Sequence, residues 1–328
     1  MSHKSEVPVP LKGTSANCRL TVAILGPRHS LGFKVCAFNI QSFSETKSSN
    51  PKIMHTLVRI LSRYDVCLLQ EVRDSKNKAI PKLLAVLNRY DEKYHYDYVT
   101  SERLGRSSYQ EQYVFVYRTD SVKVLEQYQY PDTQKGDVDA FSREPFVVRL
   151  QAPNTVMGEF VLIPQHTSPD NATKEIDELY DVFLEVKERW QVEDVMFLGD
   201  FNAACGYVAK KNRKNIRLIT EPHLYWLIGD EEDTTVREST NCAYDRIVVH
   251  GESFLRGIEP YSAKAFKFDK TFRLTEEVAL DVSDHYPVEV ELKTRQSRSS
   301  AQQQMHPSLI FLTVCVLFLS VLCGPSLQ

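Results

Sequence analysis

The stretch Val195-Met196-Phe197-Leu198-Gly199-Asp200-Phe201-Asn202 places four consecutive apolar residues just ahead of an acid and an amide. Such a run reads as a short buried strand, and the polar residues behind it fall on the loop that the strand holds in place. That is where α/β enzymes keep their reacting groups.

The arrangement recurs on either side of this stretch. Asn39 follows the run 34–38, Glu71 follows 66–70, and His166 follows 160–163. Asp245 precedes the run 247–249, and Asp284-His285 precede 288–292. Singly, each is more often a cap, a turn residue or a structural histidine than a catalytic group; it is their recurrence in one chain that carries weight. Further strands are expected at 113–117, 122–128 and 146–150. Helices alternate with them. Asn50-Pro51 reads as a cap and first residue of a helix with Met54, Leu57, Val58 and Leu61 on one face. Ile80, Leu83, Leu84 and Leu87 mark a second helix, and Ile176, Leu179, Tyr180 and Phe183 a third. Many strands with helices between them imply packed sheets covered by helices.

The chain has 328 residues, 42% hydrophobic and 25% charged, enough to bury one large core or two small ones. A net charge of −3 excludes a protein that coats nucleic acid through bulk positive charge but leaves room for a transient enzyme–DNA contact. The 16 Tyr and 16 Phe against 12 Gly fit a packed α/β or β-rich core.

The 7 cysteines do not form a small-protein disulfide framework. Cys18 lies in the leader, Cys315 and Cys323 in an apolar tail, and Cys36 and Cys67 in apolar runs where they read as small buried hydrophobes. Cys205 and Cys242 remain, with two readings. As a pair they close a loop of about 38 residues, contribute roughly 4 kcal/mol and imply an oxidising compartment. As free thiols they fit a cytosolic protein.

Residues 1–32 show no periodicity; the apolar run 20–25 is short for a signal and meets Gly26-Pro27-Arg28-His29 with no small-residue cleavage site. The leader is therefore a poorly defined signal or an alternative N-terminus. Residues 295–308 form a polar spacer containing Ser299-Ser300-Ala301, and 309–328 a hydrophobic tail. Small residues, spacer and apolar tail in that order fit a GPI-attachment signal, with a tail-anchor helix as the alternative.

Glu71, Asp200, Asp284, Asn39 and Asn202 offer hard oxygen ligands suited to Mg²⁺, Mn²⁺ or Ca²⁺. The chain has no H-E-x-x-H, paired C-x-x-C or P-loop motif, so zinc hydrolysis and nucleoside-triphosphate chemistry lose their usual signatures. Two histidines among several acids match in-line phosphodiester hydrolysis, in which one group takes a proton from water and another protonates the leaving oxygen.

The segments Cys36-Ala-Phe-Asn-Ile40, Leu69-Gln-Glu-Val-Arg-Asp74, Leu104-Gly-Arg-Ser-Ser-Tyr-Gln-Glu111 and Ser142-Arg-Glu-Pro145 belong to a larger set. With Leu198-Gly-Asp-Phe-Asn-Ala203, Cys242-Ala-Tyr-Asp-Arg246 and Ser283-Asp-His-Tyr-Pro287 they resemble the deoxyribonuclease I family over residues 33–292. Gly-Asp-Phe-Asn and Ser-Asp-His occur across the wider endonuclease/exonuclease/phosphatase superfamily, whereas the Tyr109 and Ser-Arg-Glu-Pro segments mark the narrower branch. The C-terminal tail points to a membrane-anchored member of it.

The resemblance implies one domain over 33–294 with a four-layer α/β fold, two packed mixed β-sheets flanked by helices. It implies a divalent-metal-dependent endonuclease that cuts double-stranded DNA with low sequence specificity, leaving 5′-phosphate and 3′-hydroxyl ends. His166 paired with Glu111 and His285 paired with Asp245 would be the acid–base groups, each carboxylate favouring the imidazolium. Glu71, Asp284, Asp200, Asn202 and Asn39 would hold the metal and the scissile phosphate, with Mg²⁺ and Ca²⁺ as cofactors and Mn²⁺ as a substitute. Arg73 and Tyr109 match residues that enter the minor groove, and Arg143 a phosphate contact; minor-groove contact gives weak sequence preference.

Departures from the family pattern accompany these matches. Ala204 stands where many relatives have an acid, and the second, smaller disulfide has no counterpart between 128 and 143. That loop carries Asp132, Asp137 and Asp139, which with Phe141 and Glu144 would form one structural calcium site; Asp233 and Thr235 resemble the other. Thr100 replaces an apolar residue of the actin-contacting stretch, so tight actin binding is not expected of what reads as a monomer. Asn171-Ala-Thr173 is a glycosylation sequon. Together with the tail it fits the secretory pathway and cell surface, with a luminal location, or a cytosolic one if the leader is no signal, left open.

Two other functions compete for the same residues. A phosphatase or sphingomyelinase of the same superfamily, acting on inositol phosphates or sphingomyelin, would leave Arg73, Tyr109 and Arg143 without a role. A catalytically silent surface protein binding DNA or actin would not need every catalytic position to keep its chemical type.

Overall fold

The computed structural model describes residues 32–133 and 139–295; the leader, Asp137 and the segment expected to carry the anchor lie outside the described residues. Strand β1 (Phe33–Phe43) alternates between two buried faces, with Val35 and Ala37 in one apolar cluster and Cys36, Phe38 and Ile40 in another. A strand buried on both faces must be covered on both, which places it inside a layered fold. Strand β2 (Val66–Val72) repeats the pattern and pairs parallel to β1. Cys36 and Cys67 are register partners in that pairing, buried as free thiols in the helix-facing core, as their apolar setting indicates.

The other strands are β3 (Tyr96–Thr100), β4 (Gln112–Arg118), β5 (Lys123–Gln129), β6 (Phe146–Ala152), β7 (Gly158–Pro164), β8 (Val195–Asp200), β9 (Leu224–Trp226), β10 (Asp245–His250), β11 (Lys264–Ala265) and β12 (Val288–Leu292). They form two six-stranded sheets in the orders β11-β12-β1-β2-β4-β3 and β5-β6-β7-β8-β10-β9. Each sheet is mixed: β1–β2 and β7–β8 are parallel and every other pair is antiparallel. Val35, Leu68, Phe115, Leu162, Leu198 and Ile247 belong to the core between the sheets.

Helices close the outer faces. Helix α1 (Pro51–Leu61) begins where the Asn50 carboxamide accepts from the amides of Lys52 at 3.0 Å and Ile53 at 3.4 Å, satisfying donors that a helix start leaves free. Helix α2 (Ala79–Tyr90) is capped from a distance, because Asp74 accepts from the amides of Lys78, Ala79 and Ile80 at 2.6–3.0 Å. Helix α3 (Ala172–Trp190) covers the second sheet with Ile176, Leu179 and Phe183. The result is helix, sheet, sheet, helix, the four-layer order expected. Cys205 and Cys242 form a disulfide with Cα atoms 5.9 Å apart, tying the loop after β8 to the segment before β10.

Candidate active site

Strand direction collects the polar residues at one edge of the molecule. Asn39 in β1, Glu71 in β2, His166 past β7 and Asp200 at the end of β8 come there from the parallel pairs. Antiparallel pairing brings the starts of β4, β10 and β12, and with them Glu111, Asp245 and Asp284-His285. The sheets are joined at this edge by Gln70, whose amide group donates to the Gln165 carbonyl at 2.7 Å and whose oxygen accepts from the Asp200 amide at 2.9 Å. Gly199 lies between them at φ +132°, and a Cβ there would collide with the Gln165 carbonyl and the Gln70 side chain.

Local backbone aims the ligands. The β1–β2 register shifts between Asn39 and Phe43, with Gln41 and Ser42 at positive φ. This bulge turns the Ser42 amide onto Glu71 Oε2 at 2.9 Å. Glu71 and Asn202 also hold left-handed backbone, at φ +57° and +48°, a conformation that costs energy in non-glycine residues and gathers at functional sites.

At the centre lies one oxygen. Asp200 Oδ2 accepts from Asn39 Nδ2 at 3.2 Å and stands 3.6 Å from His166 Nε2 and 3.6 Å from His285 Nε2. The opposite edge of each ring is held by a carboxylate: His166 Nδ1 lies 2.6 Å from Glu111 Oε1, and His285 Nδ1 lies 2.8 Å from Asp245 Oδ2. Asn39 Nδ2 also donates to Glu71 Oε1 at 2.9 Å, so one amide bridges Glu71 and Asp200.

Burial opposes charge on His285, yet Asp245 and Asp200 outweigh it and raise the ring well above its ordinary pKa. Burial likewise opposes His166, and Arg143 with it; Glu111 and Asp200 prevail and the pKa is raised. Burial would raise Asp200, but the two histidines, the Asn202 amide and Asn39 hold it below its ordinary value. Glu71 is lowered against burial by His166, Asn39 and Ser42. Carboxylates held low beside two rings whose pKa is raised give the site both negative charge and groups that can carry a proton.

The remaining expected residues fall around this centre. The Arg73 guanidinium lies over the Tyr109 ring, 3.9 Å from its centroid, and the Tyr109 hydroxyl donates to Glu71 Oε2 at 3.1 Å. Arg143 is more deeply set than a surface phosphate contact: it donates to the carbonyls of His166 at 2.9 Å and Thr167 at 3.0 Å, and lies 3.4 Å from Glu111. Asn202 gives its amide to Asp200 Oδ1 and its side-chain NH₂ to the Thr167 carbonyl. Asp284 raises His285 through space. Asn171 is exposed at the start of α3.

The two sets of residues expected to hold calcium are arranged differently. Asp139 and Glu144 converge with Asp132, their ligand atoms within 4.8 Å of one another. The Phe141 carbonyl accepts from Arg106 at 3.1 Å and its amide donates to Asp132. Asp233 Oδ1 accepts from the amide and hydroxyl of Thr235 at 3.0 and 2.6 Å.

Several supporting residues escaped the sequence reading. Gln70 and Ser42 are among them, with Tyr113, whose hydroxyl accepts from the His166 amide at 2.9 Å, and Ser283, which donates to the Asn39 carbonyl at 2.6 Å. Lys47 donates to the carbonyls of Ile40 and Gln41 beneath the bulge, and burial lowers its pKa to about 8 against the pull of Glu71 and Asp284. Gln70 and Ser283 sit inside the motifs already quoted, the one signal that marks them.

The donor set fits a hard divalent cation. Glu71 and Asp200 are oxygen donors held ionised, while Asn39 turns its NH₂ to both carboxylates and its oxygen to the Gln41 amide. Asp200, Asp245 and His285 also bring ligand atoms within 4.8 Å, but there the ring nitrogen is already engaged by a carboxylate, which suits a proton-carrying pair.

The chain matches the endonuclease/exonuclease/phosphatase family model over residues 36–285. It is 47% identical to human deoxyribonuclease gamma over 87% of this chain and 94% of that protein. Pig deoxyribonuclease-1 is 51% identical over 80% of this chain and 93% of its own length. Human deoxyribonuclease-1-like 1 is 48% identical, covering 81% and 86%. Among solved structures, an endonuclease/exonuclease/phosphatase family protein from Leptotrichia buccalis superposes with a TM-score of 0.57 at 16% identity, over 80% of this chain and 100% of that one. One from Bacteroides vulgatus does so at 0.53 and 16%, over 80% and 99%. At such identities the structural likeness speaks for the fold alone.

Proposed function

Because the chain belongs to the deoxyribonuclease I family within the endonuclease/exonuclease/phosphatase proteins, and is thereby a metal-dependent DNA endonuclease, we propose that it hydrolyses duplex DNA with His166 and His285 as paired proton carriers. The observation that carries this reading is the convergence of both Nε2 atoms, each 3.6 Å from the same Asp200 oxygen. One ring takes the proton of an attacking water and the other gives one to the departing 3′-oxygen, leaving 5′-phosphate and 3′-hydroxyl ends. Glu111 and Asp245 fix ring orientation and leave each Nε2 directed at the reacting centre. Tyr113 and Arg143 fix the His166 backbone, so that ring is positioned at both its main chain and its Nδ1.

Glu71, Asp200, Asn39, Asn202 and Asp284 would hold Mg²⁺, or Mn²⁺ in its place, and the bound cation would offset the charge that grows on the phosphate oxygens. Asp132, Asp139 and Glu144 would hold a structural Ca²⁺. The stacked Arg73–Tyr109 pair touches Glu71, which supports a minor-groove contact beside the metal site and hence a weak sequence preference. Inositol phosphates and sphingomyelin have no groove for that pair to enter. The Cys205–Cys242 bond and the exposed Asn171 favour an exported protein, and the C-terminal residues would anchor it.

The test is supercoiled-plasmid nicking in Mg²⁺ with Ca²⁺, in EDTA, and beside phosphate release from inositol phosphates and sphingomyelin. Nicking that EDTA abolishes, with 5′-phosphorylated ends and no lipid or inositol turnover, is expected. Turnover of either small substrate without nicking would defeat the reading.

A further inference from the structure

Behind the loop that carries Asn202 lies a cavity of about 330 Å³ that DNA cleavage leaves unexplained. Its walls are apolar, with Ile176, Val208, Ile216, Ile228 and the Trp226 ring facing it. Its far end is charged. Arg246, 1% exposed, donates to Asp230 Oδ1 at 2.8 Å, and Arg213 donates to the same oxygen at 3.0 Å. Two guanidinium groups thus face one carboxylate, and that carboxylate is itself 44% exposed at the rim. The Nε atoms of both arginines are buried without a hydrogen-bond acceptor. Asp230 shares its one carboxylate between two cations, and its exposed position at the rim leaves it open to replacement there by the carboxylate of a ligand.

The cavity is adequate for a small organic molecule, since such sites begin near 300 Å³ and pair apolar walls with a few placed polar groups. A phosphodiester backbone does not suit it, because its charged oxygens would lie against isoleucine and tryptophan. A compact apolar body ending in one carboxylate matches both halves, the body on the wall and the carboxylate in the place that Asp230 takes on the guanidinium forks. We propose that this cavity binds a small apolar carboxylic acid in its ionised form.

Occupancy would reach the catalytic edge. Arg213 and Arg246 each place a guanidinium nitrogen 3.4 Å from the Ala203 carbonyl, next to Asn202, and Arg246 follows Asp245 in β10. Drawing the guanidinium groups toward a ligand would loosen their hold on the loop between Asn202 and the disulfide. That coupling rests on the active-site reading above; the binding itself does not, so it is measured separately.

The chain has 2 Trp, and only Trp226 lines this cavity; Trp190 packs against Tyr128, with ring centroids 6.5 Å apart. In full-length protein labelled with 5-fluorotryptophan, titration with 4-phenylbutyrate should move the Trp226 resonance saturably and leave that of Trp190 in place, Trp190→Phe supplying the assignment. The uncharged 4-phenylbutanol should bind about tenfold more weakly or worse, as loss of a charge-assisted contact predicts. Arg213→Gln should weaken the acid about tenfold, whereas Asp230→Asn, which removes the competing carboxylate, should tighten it. The unliganded fluorine spectrum and cooperative urea unfolding of each variant confirm its fold. No saturable shift, equal binding of acid and alcohol, or unchanged affinity in both variants would overturn the proposal.

Discussion

His285 is held between two carboxylates, Asp245 at 2.8 Å and Asp200 at 3.6 Å, and most of the site's electrostatics follow from that placement. Its pKa, like that of His166, lies above the ordinary imidazole value despite burial. A histidine whose pKa rises on folding stabilises the protein fully below its unfolded value of about 6.5, and that contribution is lost as pH climbs through the folded value. In EDTA the melting temperature should therefore fall as pH is raised from about 6.5 toward 9, and His285→Ala should flatten the fall. A melting temperature that rises over that window would contradict the charged-ring description. Asp245 acts through the same ring. Its replacement by Asn keeps shape but removes the charge, so plasmid nicking at neutral pH should drop by about a hundredfold or more while circular dichroism stays native. Activity within a factor of about two would deny Asp245 its orienting role.

At the level of strands and helices, the elements with dense apolar patterning were legible and the sparse ones were not. The run 195–198 opens β8, which is buried throughout, and Asn50-Pro51 caps α1 as its residue types require. Strand β3 is an edge strand whose Tyr96-Asp-Tyr-Val-Thr100 leaves most side chains part-exposed, and β11 spans two residues with no apolar run; β9 does sit in an apolar run, 224–228, but spans only three residues of it, all part-exposed. The site divides in the same way. His166, Asp200 and His285 stand beside apolar runs, so their position along the chain marks them. Ser42 owes its contact with Glu71 to a bulge at positive φ, and Tyr113 meets the His166 amide from the other sheet. Backbone irregularity and inter-sheet packing leave no periodic trace. Gly199 offers a test at this level, because its φ of +132° and the crowding of Gln165 and Gln70 both exclude a side chain. Gly199→Ala should destabilise the fold by about 1–3 kcal/mol in urea unfolding and weaken nicking with it. A neutral result would mean that the Gln70 bridge between the sheets can give way without cost.

Across the whole molecule, the site belongs to neither sheet alone. Asn39, Glu71, Glu111 and His285 come from the first sheet or its loops, and His166, Asp200 and Asp245 from the second. The core between the sheets fixes the distance across that seam, and close packing resists changes to it. A net charge of −3 supplies no bulk attraction for DNA, so in the proposed reading local groups such as Arg73 would supply it. If two rings serve one phosphodiester, removing either must silence the enzyme. His166→Ala and His285→Ala, assayed separately for supercoiled-plasmid nicking in Mg²⁺ with Ca²⁺, should each lose about a hundredfold or more of the rate while unfolding cooperatively like the parent. Near-parental nicking by either variant would contradict it.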